Sequence, residues 1–250
     1  NRFTCVDISK LKEAQSKLKQ QKADLERANR DLEQFVSICS HDLQEPLSTI
    51  KFGSDILGKI YADKLDAKGK EYISYIDEAS DRLANQIKAL LEHSRIGRDT
   101  KKTTVNTKEL VEVVKYDLGK RIRETNAKIH IGALPKIKAY ETELRLLFQN
   151  LLSNALKYRD KERVPEIRIS AYPDGKFWVF SVMDNGIGMK KEDLKNIFTI
   201  FNRVRTEEKF EGTGVGLAHV DKIVQLHDGT IWVDSQPGVG STFYFKIKST

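Results

Sequence analysis

The sequence predicts an α + α/β chain: a helical region that dimerises, then an α/β sandwich with helices on one face of a mixed sheet. Three observations carry this. Leu11, Leu18, Leu25 and Leu32, continued by Cys39, recur every seven residues through a stretch free of Pro and Gly. The helical apolar period then persists to about residue 95 with no β pattern. Beyond about residue 105, β-rich runs come in pairs around turn residues, with helical segments between them.

Taken in order, residues 9–34 are expected to form a parallel coiled coil with a second copy. Gln, Lys, Asp, Glu and Arg fill the positions between the leucines, and in-register leucines on a solitary helix would face water. The apolar stripe continues through Leu43, Leu47, Ile50 and Leu57. At about 100° per residue, His41 lies about 160° from Leu43 and about 180° from Ile50, so it faces water. Glu45 shares that side, and Pro46 sits where it should bend the helix or loosen its hydrogen bonding. A polar turn, "YADKLDAKGKE", leads into a second amphipathic helix bearing Tyr72, Ile76, Leu83, Ile87, Leu90 and Leu91. A hairpin with one stripe on each helix cannot bury itself, so residues 35–97 are expected to pair as a four-helix bundle in a homodimer.

The charged stretch 98–104 reads as a linker. In the second domain, 105–250, the patterns predict a helix over Thr107–Thr125, a strand at "KIHIG", and a helix from Glu141 to Lys157. They also predict strands around a Pro-Asp-Gly turn in "EIRISAYPDGKFWVFSVMD" and a hairpin in "GTIWVDSQPGVGSTFYFKIK". Trp178 and Trp232 are expected in the core.

Composition bounds the function. A chain of 250 residues can bury one or two cores, and no apolar run approaches the roughly 20 residues of a membrane span. Two cysteines, Cys5 and Cys39, are too few for a disulfide framework or thiolate cluster, which points to a reducing cytoplasm. The net charge of +7 is spread among interleaved acids and bases, a solvated surface rather than a nucleic-acid footprint.

Three motifs in the second domain carry chemistry. In "NLLSNALKY", Asn150, Asn154 and Lys157 share one helical side, with Tyr158 next to it. Amide oxygens are hard ligands suited to Mg²⁺, and a lysine one turn on can neutralise phosphate. "DNGIGM" follows a strand, where Asp184 can accept a hydrogen bond from an adenine amino group and Gly186 and Gly188 let backbone approach a flat base. "EGTGVGLAHV" brings Gly212, Gly214 and Gly216 to a helix start suited to phosphate. This glycine run does not follow a strand, which disfavours a Rossmann site. Between them, "FTIFNRVRTEEKFEG", anchored by Phe198 and Phe201, has the composition of a mobile lid. His93, His130, His219 and His227 lack metal-ligand partners and read as structural, with His219 near enough to the glycines of "EGTGVGLAHV" that a phosphate contact stays open for it.

From Phe35 onward the chain resembles a sensor histidine kinase. "SHDLQEPL" resembles the H box, "NLLSNALKY" the N box, "DNGIGM" the G1 box, "IFTIFNR" the F box and "GTGVGL" the G2 box, in the family's order. The wording is similar to the kinase modules of phytochrome-like and PAS-linked sensors, and "VDISKLKEAQ" resembles the exit of a PAS domain, making residues 1–8 the end of an upstream sensor. The resemblance implies a phosphotransfer hairpin followed by a Bergerat-type ATP-binding domain, with ATP and Mg²⁺. It makes His41 the phosphoacceptor and Asp42 its adjacent acid. By the same resemblance Asn154, helped by Asn150, binds Mg²⁺; Lys157 and Arg203 contact phosphates; Tyr158 lines the pocket; Asp184 holds adenine. Gly186, Gly188, Gly212, Thr213, Gly214, Gly216 and Leu217 complete the nucleotide site. The expected partner is a response-regulator receiver domain. Two departures stand out: Tyr140, where relatives often carry Asp before the helix, and Glu45, where kinases that dephosphorylate their receiver carry Thr or Asn. Weak phosphatase activity is expected from that carboxylate. A second class stays open here: a Bergerat ATPase, or a degenerate kinase serving as a dimeric scaffold.

Overall fold

A computed structural model describes residues 8–98, 101–202, 210 and 212–248, and contacts divide the chain into two units between Ser94 and Arg95. The first unit is helical. Helix α1, Ile8–Ile60, runs without interruption through Pro46; a short 3-10 turn, Ala62–Lys64, precedes helix α2, Ala67–Arg95. Pro46 has no N–H to give to the preceding turn. Beside it the hydroxyls of Ser48 and Thr49 donate to the carbonyls of Gln44 and Glu45, at 2.8 and 3.3 Å. Within the hairpin Leu47, Ile73 and Ile87 are buried. Polar pairs also cross between the helices: Lys51 bonds Asp81, and the Ser54 hydroxyl donates to Asp77. Leu11 and Leu18 of the heptad seam are exposed; the side chains of Leu25 and Leu32, and residues 1–7, lie outside the described residues.

The second unit is a sandwich. Strands β1, Thr103–Asn106, and β3, Lys136–Ala139, form a small antiparallel pair. The sequence pattern shows neither strand, and β1 takes Thr103 and Thr104 out of the expected linker. The helix expected over Thr107–Thr125 is two helices, α3 (Thr107–Asp117) and α4 (Gly119–Thr125), because Leu118 leaves the helical region at ψ 4°. Strand β2, Lys128–Ile131, and helix α5, Glu141–Lys157, follow. Strands β4, Glu166–Asp174, and β5, Phe177–Asp184, come next. Pro173 and Asp174 belong to β4, so the turn falls on Gly175 and Lys176 rather than on the whole Pro-Asp-Gly triplet. Helix α6, Gly216–Leu226, and the hairpin of β6, Thr230–Gln236, and β7, Gly240–Lys248, complete the unit. The larger sheet has the order β2-β4-β5-β7-β6, parallel only between β2 and β4.

Alternation along the strands decides which residues meet the helices. Phe180 and Phe245 stack at 5.0 Å, and Phe148 of α5 meets both rings edge-on at 6.0 and 5.7 Å. This aromatic cluster seats α5 on the sheet. Trp178 packs partly buried against that core, but Trp232 does not: it points to the opposite face, 38% exposed, and stacks on Tyr244 at 5.4 Å. Its place in the β6 alternation, between Ile231 and Val233, turns it outward. Among the described residues no helix is long and apolar enough to cross a membrane.

Candidate functional site

In the first unit, His41 projects from α1 with its side chain 81% exposed, and its Nδ1 lies 3.4 Å from Asp42 Oδ1. An ionised carboxylate only accepts, so this contact favours the proton on Nδ1 and leaves the Nε2 lone pair available. Glu45, the next residue on that face, is exposed too.

In the second unit a cavity of about 340 Å³ is walled by α5, the segment after β5 and the start of α6. It brings together Asn150, Asn154, Lys157, Tyr158, Asp184, Gly188, Gly212, Thr213, Gly214, Gly216 and Leu217. The side chains of α5 are prearranged. Asn150 donates its amide N–H to the Leu146 carbonyl at 2.9 Å, which leaves Oδ1 as the outward acceptor. The Lys157 ammonium donates to the Tyr158 hydroxyl at 2.9 Å and lies 4.4 Å from that ring's centre. Phe210 meets Tyr158 edge-on at 5.0 Å.

Asp184 closes β5. Its carboxylate accepts N–H bonds from Gly186 at 2.9 Å and Ser241 at 3.3 Å. Burial nevertheless dominates and pushes its pKa up to about 6. Two side chains hold the loop that follows. Asn185 accepts from Glu166 N–H and donates to the Val164 carbonyl, at 2.8 and 3.0 Å. Arg163 donates to the carbonyls of Gly186 and Gly238, at 3.3 and 2.8 Å.

The glycines answer to contacts inside the protein as well. A side chain at Gly186 would strike the Tyr158 carbonyl, and one at Gly188 the Gln236 carbonyl. Both are demanded by the protein's own backbone. Likewise Gly216 fits against Asn150, whose Oδ1 would be 2.8 Å from an added Cβ. Gly186 itself is not among the cavity-lining residues.

Of the expected lid, Arg203 lies outside the described residues, as do 204–209 and 211. Phe198 packs on the core, but Phe201 is no anchor: it is 43% exposed at φ 64°, with its N–H on the Gly214 carbonyl at 3.1 Å. His219 is buried and does not line the cavity. His227 is buried as a neutral ring, its pKa lowered by desolvation. Its Nε2 accepts the Tyr140 N–H at 3.0 Å and its Nδ1 donates to the Ile223 carbonyl at 2.7 Å. Tyr140 stands at the N-cap of α5 without a side-chain cap. Its ring meets His227 edge-on at 5.3 Å, with the Lys102 ammonium 5.3 Å from its centre.

The structure adds cavity residues that motif reading misses, among them Arg121, Ser153, Met189, Asn202 and Ser241. Ser153, Met189 and Asn202 sit inside motifs already singled out; Arg121 comes from α4 and carries no local signal. Among the described residues no cluster of three His, Cys, Asp or Glu could hold a metal. The amide oxygens of Asn150 and Asn154 fit Mg²⁺, which keeps water and phosphate oxygens as its other ligands.

Residues 31–99 match the family described as "His Kinase A (phospho-acceptor) domain". Residues 139–250 match "Histidine kinase-, DNA gyrase B-, and HSP90-like ATPase". Cyanobacterial phytochrome A of Nostoc sp. is 41% identical over 219 residues, 86% of this chain and 28% of that protein. Phytochrome-like protein Cph1 of Synechocystis sp. is 37% identical over 217 residues, again 86% of this chain and 29% of that protein. The chain thus spans less than a third of these relatives. Full-length ShkA in complex with AMPPNP superposes with TM-score 0.62 at 26% identity, covering 86% of this chain and 46% of that one. Histidine kinase ThkA in complex with response regulator protein TrrA gives 0.61 at 25% identity, covering 92% and 66%.

Proposed function

The chain belongs to the sensor histidine kinases, and on that premise we propose that it transfers the γ-phosphoryl group of ATP to His41 and then to an aspartate of a response-regulator receiver domain. The observation that carries this reading is the pairing, in one chain, of an exposed His beside a carboxylate with a nucleotide-sized cavity bearing the Asn150, Asn154, Lys157 and Asp184 constellation. An ATPase that only drives conformational change has no use for the first feature.

In this reaction Asp184 accepts the adenine amino group, Tyr158 lines the base, and Lys157 and Arg203 neutralise phosphate. Asn154 and Asn150 would hold Mg²⁺, which would spread the charge of the triphosphate. The Nε2 lone pair of His41 forms the N–P bond as the bond from γ-phosphorus to the β-phosphate oxygen breaks. Asp42 then takes the Nδ1 proton, so a neutral imidazole carries the phosphoryl group and ADP leaves. The AMPPNP bound by ShkA and the response regulator bound by ThkA support these ligand classes. Residues 9–34 act as the signalling helix and 35–97 as the dimerisation and phosphotransfer domain. After a linker over 98–104, residues 105–250 bind ATP. Input comes from an upstream sensor, of the PAS kind by the resemblance of residues 1–8, and the module works in the cytoplasm.

Incubation with γ-labelled MgATP should yield acid-labile, alkali-stable phosphate on the chain. His41→Gln should abolish labelling with nucleotide affinity unchanged. Label persisting in that variant would show a different acceptor, and ATP hydrolysis without any labelling of the unmutated chain would favour the ATPase reading.

A further inference from the structure

We propose that Arg121 is a phosphate-binding residue of the nucleotide cavity, adding a cation from outside the glycine segment and the lid. The inference rests on the cavity being the ATP site.

Arg121 lines the cavity, and its Nη1 donates to the Ser153 hydroxyl of α5 at 2.9 Å. Position on α5 gives that contact its meaning. Taking Asn150 as zero, Asn154 lies at about +40°, Lys157 at about −20°, Tyr158 at about +80° and Ser153 at about −60° around the helix. The Tyr158 flank is tied to the Asp184 loop, since the Tyr158 carbonyl accepts Ile187 N–H at 3.0 Å. The base therefore belongs on that flank. Ser153 and Arg121 stand on the other side of the Asn150, Asn154 and Lys157 stripe, where the phosphate chain is directed.

The charge of Arg121 is available. Arg145, Arg163 and Arg168 each pair with a carboxylate, whereas Arg121 has no carboxylate partner among the described residues. A guanidinium carries five donors in a planar fork suited to phosphate oxygens, and Ser153 orients the group while using one of them. Lys157, by contrast, already bonds the Tyr158 hydroxyl and ring.

The test is calorimetric titration of the whole chain with adenosine, MgADP and MgAMPPNP. Arg121→Gln should weaken MgAMPPNP by about tenfold, the size of one charge-assisted hydrogen bond, MgADP by less, and adenosine not at all. An equal loss for adenosine would reveal a merely structural role, and undiminished MgAMPPNP binding would remove the phosphate contact; either overturns the proposal. Should Arg121→Gln fail to fold by near-UV circular dichroism, Arg121→Lys decides. It keeps the charge without the fork, so about a threefold loss for MgAMPPNP is expected and unchanged affinity overturns the proposal. If the unmutated chain binds no adenine compound, the ATP-site reading fails first; if it binds them all and the variant matches it, this inference alone fails.

Discussion

At Asp184 burial raises the carboxyl pKa to about 6 against the pull of the Gly186 and Ser241 N–H bonds. An adenine amino group is a donor and favours the ionised form, so base affinity should rise as pH climbs through that value. Adenosine, which has no titrating phosphate, should bind roughly tenfold more tightly at pH 7 than at pH 5, and Asp184→Asn should flatten the profile. Without ligand the sign reverses. The folded pKa lies above the unfolded one, so this residue's contribution to stability is fully present below about 4 and is lost as pH rises through about 6. A flat adenosine profile in the unmutated chain would contradict the role given to this carboxylate. Glu45 is a second residue whose charge decides chemistry. It is exposed on the His41 face, where under the proposed function a receiver's anionic acyl phosphate would approach. Like charges a few ångströms apart in a partly desolvated contact cost on the order of a kcal/mol or more. The chain should therefore scarcely accelerate decay of its phosphorylated receiver, and Glu45→Asn should accelerate it. A fast unmutated phosphatase would refute the charge argument.

The hairpin covers only part of the apolar stripe that each helix of the first unit carries. Leu47, Ile73 and Ile87 are sealed inside, while Leu43 and Ile50 of α1 and Tyr72, Ile76 and Leu83 of α2 stay exposed. Covering one large aliphatic side chain stabilises by about 1.5–3 kcal/mol, so a second copy laid on this face turns a marginal hairpin into a four-helix bundle. Light scattering at micromolar concentration should find a dimer. Ile50→Lys with Leu83→Lys should give a monomer that still binds adenosine, because the nucleotide cavity belongs to the other unit. A monomeric unmutated chain would refute the bundle. Helix α5 shows a different kind of support. Its N-terminus lacks a side-chain cap, and the buried His227 ring instead takes the N–H of Tyr140. That arrangement gives a physical account of how Tyr140 is accommodated where relatives often carry Asp.

Across the whole molecule, what could be read in advance follows from locality. A heptad, an amphipathic stripe or a run of Asn150, Asn154 and Lys157 at helical steps encodes which side of one element faces what, and neighbours in sequence are sufficient to state it. His41 could be placed facing water for the same reason, and five motifs in order identify the family. Contacts between distant segments could not be read this way. The strand order β2-β4-β5-β7-β6 and the β1–β3 pair depend on how separate runs pair. The reach of Arg121 from α4 to Ser153 and the register that sets Ser241 opposite Asp184 depend on the same thing. Gly186 and Gly188 show the division within a single motif. Local sequence says that small residues stand there and that a carboxylate closes the strand. The reason is tertiary, since the atoms that forbid a side chain belong to Tyr158 and Gln236, residues brought close by packing and invisible to any local period.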